Sequence, residues 1–453
     1  MTPDTTRSSF GEIRNSLTGR LRIPVAIFLI ALILRLIFLL LMLGEHGTQP
    51  LAGLFDDSAK YIKAADCLFG ISTTGQYELY LVGPGYPFFL GIINIIFGRV
   101  DWLVMALQII MSGLTCVGIY LIARRLIAND TVAVLAGLIA AVSMTSISLA
   151  NSLLTETLFL FLLVLSLERF FKGLAENRWT SFAAAGILGG LAVLVRSAAM
   201  FFPVLLVLFA VIIPAGWIRA RRGQLILKAV VTALIMTVIS LGWAARNSAV
   251  HDVFTVAGTG MGAARLYLAG RVVYAVGERP PHEYRAFRDS LYESTVPDIR
   301  AGKYKKLNEE ATAFVTATMR EYPARFIWTY ISTIIHNMTV ISTLEYAQIP
   351  QLGGIFEFFD RRFSPGYKNP IILILTLTGF IILARRSLRI AIILLSVVVY
   401  FGAASGITFG QGSRVYFPAQ AAYAIFVSAA LLFFYDLIRW LMRSFVGILK
   451  QKA

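Results

Sequence analysis

The sequence predicts an all-α polytopic membrane protein with about ten transmembrane helices. Three observations carry this. Of 453 residues, 57% are hydrophobic and 15% charged, with a mean hydropathy of +0.73, whereas soluble domains carry about 25% charged residues. Apolar runs able to cross a bilayer core, which takes about 20 residues, recur along the chain. The basic residues gather in short caps between those runs, the positive-inside pattern of membrane proteins.

The runs fall at 23–43, 101–123, 131–150, 153–168, 180–195, 197–218, 225–243, 370–384, 390–405 and 415–436. Arg7, Arg14, Arg20 and Arg22 precede the first, and Arg124 and Arg125 follow the second. Arg169, Lys172 and Arg178 lie between the fourth and fifth, and Arg219, Arg221, Arg222 and Lys228 between the sixth and seventh. Arg385, Arg386 and Arg389 separate the eighth and ninth; Arg439, Arg443, Lys450 and Lys452 close the chain. With ten spans every cap falls on one side, which places both termini in the cytoplasm. Residues 1–22 are polar and basic, and the run after them is long enough to stay as an anchor rather than a cleaved leader.

Two hydrophilic regions then face outward, about 45–100 and 244–369, both too long to be mere connections. They divide the chain into a membrane core at 1–243 that includes the first loop, an outer region at 244–369 and C-terminal helices at 370–453. Arg325 to Thr343, "RFIWTYISTIIHNMTVIST", is apolar enough to cross, but crossing alone would invert the later caps. It is expected to lie at the outer surface as an interfacial helix; otherwise the segment around Gly353 to Phe359 returns the chain. The net charge of +16 sits largely in the caps, so no nucleic-acid partner is expected. Cys67 and Cys116 offer no disulfide framework.

Chemistry is to be sought on the outward side. Asp56 and Asp57 open "DDSAKYIKAA", where Asp57, Tyr61, Ala64, Ala65 and Leu68 share one helical face. Acids in a first turn also serve a helix end, so capping and function both stand for this pair. "VGPGYPFFLGIINIIFG", Val82 to Gly98, predicts a tight turn and then a helix returning to the membrane interface. Glu156 in "LLTETLFLFLLVL" is expected one turn inside a span, where a carboxylate is costly without a partner and marks a functional candidate. Arg196, Arg246 and Arg414 each stand at a short outward junction, Arg246 beside Asn247. Each alone would pass for a snorkelling anchor; three beside carboxylates suit a phosphate, which arginine binds bidentately. Arg35 lies inside the first span, where an acid is one candidate partner and its role is open. His251, His282 and His336 have no metal-ligand spacing, and the "NMT" at Asn337 is a chance sequon.

Acids and arginines at a lipid interface fit a substrate that is both lipid and phosphate, namely a sugar on a polyprenyl phosphate. A carboxylate would take the proton of the acceptor hydroxyl. The transition state would be oxocarbenium-like, as in glycoside cleavage. Charge building on the departing phosphate would meet arginine or a divalent cation.

In order and spacing, these motifs resemble the membrane glycosyltransferases of the GT-C superfamily. The bacterial branch related to protein O-mannosyltransferases and lipid A aminoarabinose transferases is the nearest. "FDDSAKYIKAADCLFG" resembles its acidic first-loop motif, "GPGYPFFLGI" its Pro-Gly-Tyr-Pro segment and "LLTETLFLFLLVLSLERF" its Thr-Glu span. "GILGGLAVLVRSAAMFFP", "LGWAARNSAVHDVFTVAGTGMG" and "GSRVYFPAQAAYAIF" resemble three later junctions, and the likeness covers most of residues 23–435. It implies a GT-C fold with Asp57 as base and Asp56 beside it. It places Glu156 in the same cavity, as orienter or, with Asp57, as ligand of Mg²⁺ or Mn²⁺. Arg414, with Arg196 and Arg246, would meet the lipid phosphate; Lys60, Tyr61 and Asn247 join them as substrate contacts. Ser58 stands where the family often has Glu, Ser197 where Pro is common, and Val415 in the place of a usual Tyr, with Tyr416 one later.

The function so implied is an inverting transfer from a polyprenyl-phosphate sugar to a glycan, lipid or protein acceptor at the outer face of a bacterial cytoplasmic membrane. Two other classes compete. A lipid-linked sugar transporter would show internal repeats and broken mid-membrane helices, and the sequence displays neither. A non-catalytic envelope-assembly subunit would use 244–369 for docking.

Overall fold

The computed structural model describes residues 6–47, 56–217, 220–278, 280–339, 354 and 370–452. The proposed return near Gly353 to Phe359 lies outside them except for Gly354, as do residues 340–343 of the expected interfacial helix. The described residues are helical, with no strand among them. In chain order the helices are α1 (Thr6–His46), α2 (Asp56–Leu68), α3 (Gln76–Leu81), α4 (Gly85–Phe97), α5 (Asp101–Ile127), α6 (Asp130–Val142), α7 (Met144–Ala150), α8 (Glu156–Glu176), α9 (Trp179–Val195), α10 (Phe202–Ile212) and α11 (Arg222–His251). There follow α12 (Thr259–Ala263), a π turn (Ala264–Ala269), α13 (Gly270–Val276), α14 (Tyr284–Glu293), α15 (Val296–Arg300), α16 (Tyr304–Glu321) and α17 (Pro323–Thr339). α18 (Pro370–Ser405), α19 (Ser413–Tyr416) and α20 (Gln420–Lys452) complete the chain.

Among the described residues five helices are long and apolar enough to cross a membrane: Leu21–His46, Asp101–Ile127, Arg222–His251, Ile371–Ser405 and Arg414–Ser444. The bent pair α6 and α7 makes a sixth if it is one span. The chain is therefore a multi-pass membrane protein, and the expected ten spans differ from this count for identifiable reasons. The expected spans 370–384 and 390–405 form α18, broken only at Ser387, which is extended at φ −160° and ψ 98° beside Arg385, Arg386 and Arg389. The expected spans at 180–195 and 197–218 appear as shorter apolar helices. α8 carries Glu156, Glu168, Arg169 and Lys172 along its length.

Close packing sets which helix ends meet. α8 and α9 run antiparallel: Ser166 donates to the Ala185 carbonyl at 2.7 Å, and Gly173 lies against Phe182. α9 and α11 run parallel, with Gly186, Gly189 and Gly190 of α9 against Ile235, Met236 and Ile239. A methyl on any of these glycines would sit 2.6 to 2.9 Å from those side chains, so small residues let the helices approach. The start of α8 and the ends of α9 and α11 thus share one end of the bundle.

Arg35 pairs with no acid among the described residues. It is fully buried and donates to Ser112 Oγ at 2.7 Å and to the carbonyls of Ala31 and Ala141 at 2.9 and 3.0 Å. The 53° bend between α6 and α7 leaves the last carbonyls of α6 without helical partners. Arg35 satisfies two of them, those of Ala141 and Ala140, so its part is structural.

Candidate functional site

The shared end of the bundle is built by glycine contacts and buried hydrogen bonds. A methyl on Gly83 would strike the Leu194 carbonyl oxygen, and one on Gly85 would lie 2.7 Å from Val195 Cγ2. The "GPG" turn is therefore the place where the chain crosses the end of α9, immediately before Arg196. From α4, Tyr86 donates to Gln108 Oε1 at 2.9 Å, and Gln108 Nε2 donates to the carbonyls of Ser152 and Ala150 at 2.6 and 3.2 Å. Ser58 of α2 is fully buried and donates to the Leu153 carbonyl at 3.0 Å. Together these bonds fix the non-helical stretch ahead of α8 and dock α2 upon it. Ser58, the departure from the family pattern, is thus a docking contact. Gly85→Ala should push the end of α9 outward and separate Arg196 from its partner; a loss of activity larger than the loss in melting temperature would report it.

Glu156 is the first residue of α8 rather than one turn inside it, and it is 1% exposed. Its Oε1 accepts from Arg196 Nη1 at 2.6 Å and from Arg414 Nε. Thr155 Oγ1 donates to its Oε2 at 3.2 Å and accepts from Arg196 at the same distance. Arg414 is also buried, and its Nη1 reaches Asp57 Oδ2 at 2.7 Å. Asp57 Oδ1 accepts from Lys60 Nζ at 2.9 Å. The order is therefore Arg196, Glu156, Arg414, Asp57, Lys60, drawn from four separate helix ends. Asp57 is 30% exposed where Glu156 is closed off, so it is the acid open to a substrate. Burial pushes the Asp57 carboxyl up, but Arg414 and Lys60 outweigh it and hold the pKa at about 2. Tyr61 packs edge-on against Tyr86 with ring centroids 5.2 Å apart. Burial and then the Glu156 carboxylate push its phenol above the ordinary value, so it stays protonated.

Sequence reasoning named these five ionic residues and Tyr61, and the structure gathers them. It does not bring Arg246 and Asn247 to them. Arg246 stacks on Trp243 at 4.9 Å and donates to Asn247 Oδ1 at 2.9 Å; Asn247 is fully buried and donates to the Thr255 carbonyl at 2.8 Å. Asp56 begins α2, and its side chain is outside what the structure describes. As ligands of Mg²⁺ or Mn²⁺, Asp57 and Glu156 do not fit in this arrangement. Each already accepts from Arg414, which occupies the place between them. Among the described residues no group of three His, Cys, Asp or Glu side chains has metal-holding geometry.

Two features escaped the sequence. Asn337, expected as a chance sequon, is fully buried and donates to the carbonyls of Ser405 and Thr408 at 3.0 and 2.6 Å. Its Oδ1 accepts from Gly412 N at 3.3 Å, so it clamps the loop that carries Arg414. Arg271 lies over the Phe409 ring at 3.7 Å and donates to Thr333 Oγ1 at 2.9 Å, with His336 stacked on Phe409 at 4.3 Å. No local pattern marks either set, because each joins segments more than sixty residues apart.

Comparison with known proteins comes from family and structure. Residues 82–243 match the family described as dolichyl-phosphate-mannose-protein mannosyltransferase. No curated protein matches the chain. The fold is similar to the oligosaccharyltransferase of Archaeoglobus fulgidus tethered to an acceptor peptide containing the NVT sequon. That likeness has a TM-score of 0.50 at 18% identity over 90% of this chain and 50% of that one. The same archaeal enzyme, AglB, with an inhibitory peptide and a dolichol-phosphate gives 0.49 at 16% identity, covering 91% and 52%. Its complex with Zn and sulfate gives 0.49 at 16%, covering 90% and 50%. The chain spans about half the length of these structures.

Proposed function

We propose that this chain, whose residues 82–243 match the dolichyl-phosphate-mannose-protein mannosyltransferase family, is a membrane glycosyltransferase of the GT-C type that moves a sugar from a polyprenyl phosphate to an acceptor hydroxyl with inversion. The observation that carries the reading is the partly open Asp57 carboxylate, held by Arg414 and Lys60 at the end of the bundle. Asp57 takes the acceptor's hydroxyl proton while the acceptor oxygen attacks the anomeric carbon. The bond from that carbon to the phosphate oxygen breaks, and its electron pair leaves on the polyprenyl phosphate. A single displacement inverts the anomeric centre. A base of such low pKa accepts its proton late, when the acceptor oxygen has already bonded and become acidic. Glu156 and Arg196 touch no reacting atom in this scheme; they hold Arg414, which holds the base. A divalent cation would reach Asp57 and Glu156 only by displacing Arg414.

The basic caps support an active site on the outer face of a bacterial cytoplasmic membrane, with both termini inside. The acceptor is a glycan, a lipid or a protein. The test uses membranes carrying wild type or Asp57→Asn, supplied with a panel of polyprenyl-phosphate sugars and followed by mass spectrometry. Loss of one sugar from its carrier in wild type but not in the variant supports the transfer. Lipid translocation that persists without any sugar loss would replace it with a transporter.

A further inference from the structure

The end of the bundle away from the acid cluster carries charge that its own helices do not neutralise. α10 and the second half of α18 run antiparallel. Near the cluster end Tyr400 donates to the Ala198 carbonyl at 2.8 Å and accepts from Phe201 N at 3.1 Å. At the opposite end Arg222, the first residue of α11, donates to the Val211 carbonyl and to that of Ile213 at 2.8 Å. It thereby satisfies carbonyls that the end of α10 leaves open. Across from it stands the break in α18 at Ser387, with Arg385, Arg386 and Arg389 around it. None of these four arginines ion-pairs with a described residue. The helices themselves offer no partner: residues 177–251 and 361–435 contain no aspartate or glutamate.

A groove of 530 Å³ lies between these elements, lined by Val211, Ile212 and Ala215, by Arg222, and by Arg389 and Ile392. Small-molecule sites occupy about 300–1,000 Å³, so the groove can seat a headgroup and the top of a hydrocarbon chain. Its apolar wall is open, with Val211 42% and Ile392 41% exposed. A guanidinium has five N–H groups; Arg222 donates two of them to carbonyls, and Arg389 donates none to a described residue. An arginine that only snorkels needs a path to water. Two arginines from separate helices over one apolar wall make a different shape, which suits an anionic head on a hydrocarbon tail. A second groove at Arg439 and Arg443 is lined by residues of α20 alone, so it joins no two elements.

We infer that this groove binds an acidic membrane phospholipid, with its headgroup phosphate between Arg222 and Arg389 and an acyl chain along Val211, Ile212 and Ile392. Arginine forks suit phosphate oxygens. A zwitterionic lipid brings its own cation to a cluster that already lacks anions, so a net negative headgroup is preferred. On the proposed orientation the groove opens to the cytoplasmic leaflet, whose anionic lipids are drawn to basic clusters beside helix ends. The bound lipid ties α18 to α10 and α11 where no ion pair among the described residues does. The site is separate from the acid cluster and does not depend on which sugar or acceptor is used.

The test titrates phosphatidylglycerol into the delipidated chain in neutral detergent and follows bound lipid by native mass spectrometry. Phosphatidylcholine with the same acyl chains and inorganic phosphate are the comparison probes. Wild type should bind phosphatidylglycerol more tightly than phosphatidylcholine. Arg389→Gln should weaken phosphatidylglycerol about tenfold or more, the worth of a charge-assisted hydrogen bond. Arg386→Gln removes the same charge from the same break but lies outside the groove lining, so it should bind as wild type does. Neither variant breaks an ion pair with a described residue, and both should melt with wild type when free of lipid. Equal weakening by the two variants would mean diffuse attraction to a basic surface and would overturn the site. Phosphatidylcholine bound as tightly as phosphatidylglycerol would overturn the acidic class. Inorganic phosphate bound as tightly as the lipid would overturn the lipid as occupant.

Discussion

Glu156→Gln should abolish sugar transfer and cost about 3–5 kcal/mol of stability, the range for removing one member of a buried ion pair. Glu156 is 1% exposed and is the shared acceptor of Arg196 and Arg414. Without its charge, Arg414 keeps Asp57 and Gln411, and Arg196 keeps Thr155. The effect should register as a lower unfolding midpoint in detergent alongside the lost activity. Adding Arg196→Met should recover much of the stability, since the excess buried charge is then gone, without recovering transfer. If both properties returned in the double variant, Glu156 would have no part in holding Arg414 for catalysis. If Glu156→Gln alone were as stable and active as wild type, the ionic cluster would not be what organises this site.

Asp57→Asn should leave the fold standing and lower kcat by about 10²- to 10⁴-fold, the usual worth of a positioned general base. Asp57 is 30% exposed, and the amide keeps one acceptor oxygen for Lys60 or Arg414 while solvent can reach the other cation, so the proton acceptor is lost with one of the two contacts. The pH dependence follows from the folded pKa of about 2, below the ordinary aspartate value of about 3.9. A depressed carboxyl contributes stability that is present above about pH 3.9 and is lost as pH falls through about 2. Between pH 5 and 8 Asp57 therefore changes neither stability nor protonation, and it should give kcat no acid limb there. An acid limb near pH 6 that vanished in Asp57→Asn would contradict the assignment.

Much of the site could be read without coordinates. Asp57, Glu156, Arg196 and Arg414 stand out because charge at the edge of an apolar run is expensive and must be explained. Their pairing was not legible. The sequence presents the arginines as free for phosphate, whereas the fold spends two of them on Glu156 and one of those also on Asp57. It presents two carboxylates as metal ligands, whereas Arg414 takes the place between them. Arg35 shows the same limit: a buried arginine invites an acid, yet its partners are the Ser112 hydroxyl, the Ala31 carbonyl and carbonyls released by the bend between α6 and α7. Asn337 looks like a sequon and is a buried clamp on the Arg414 loop.

The sequence by itself determined the membrane class, the helical fold and the set of acids and arginines, because apolar run length and the cost of isolated charge are local quantities. Only the tertiary structure decided which charge neutralises which. A salt bridge depends on distances of 3 to 4 Å between residues hundreds of positions apart, and those distances follow from how glycine faces and helix ends pack. The same packing leaves Asp57 partly open beside Arg414 and Lys60, and on that side chain the proposed chemistry turns.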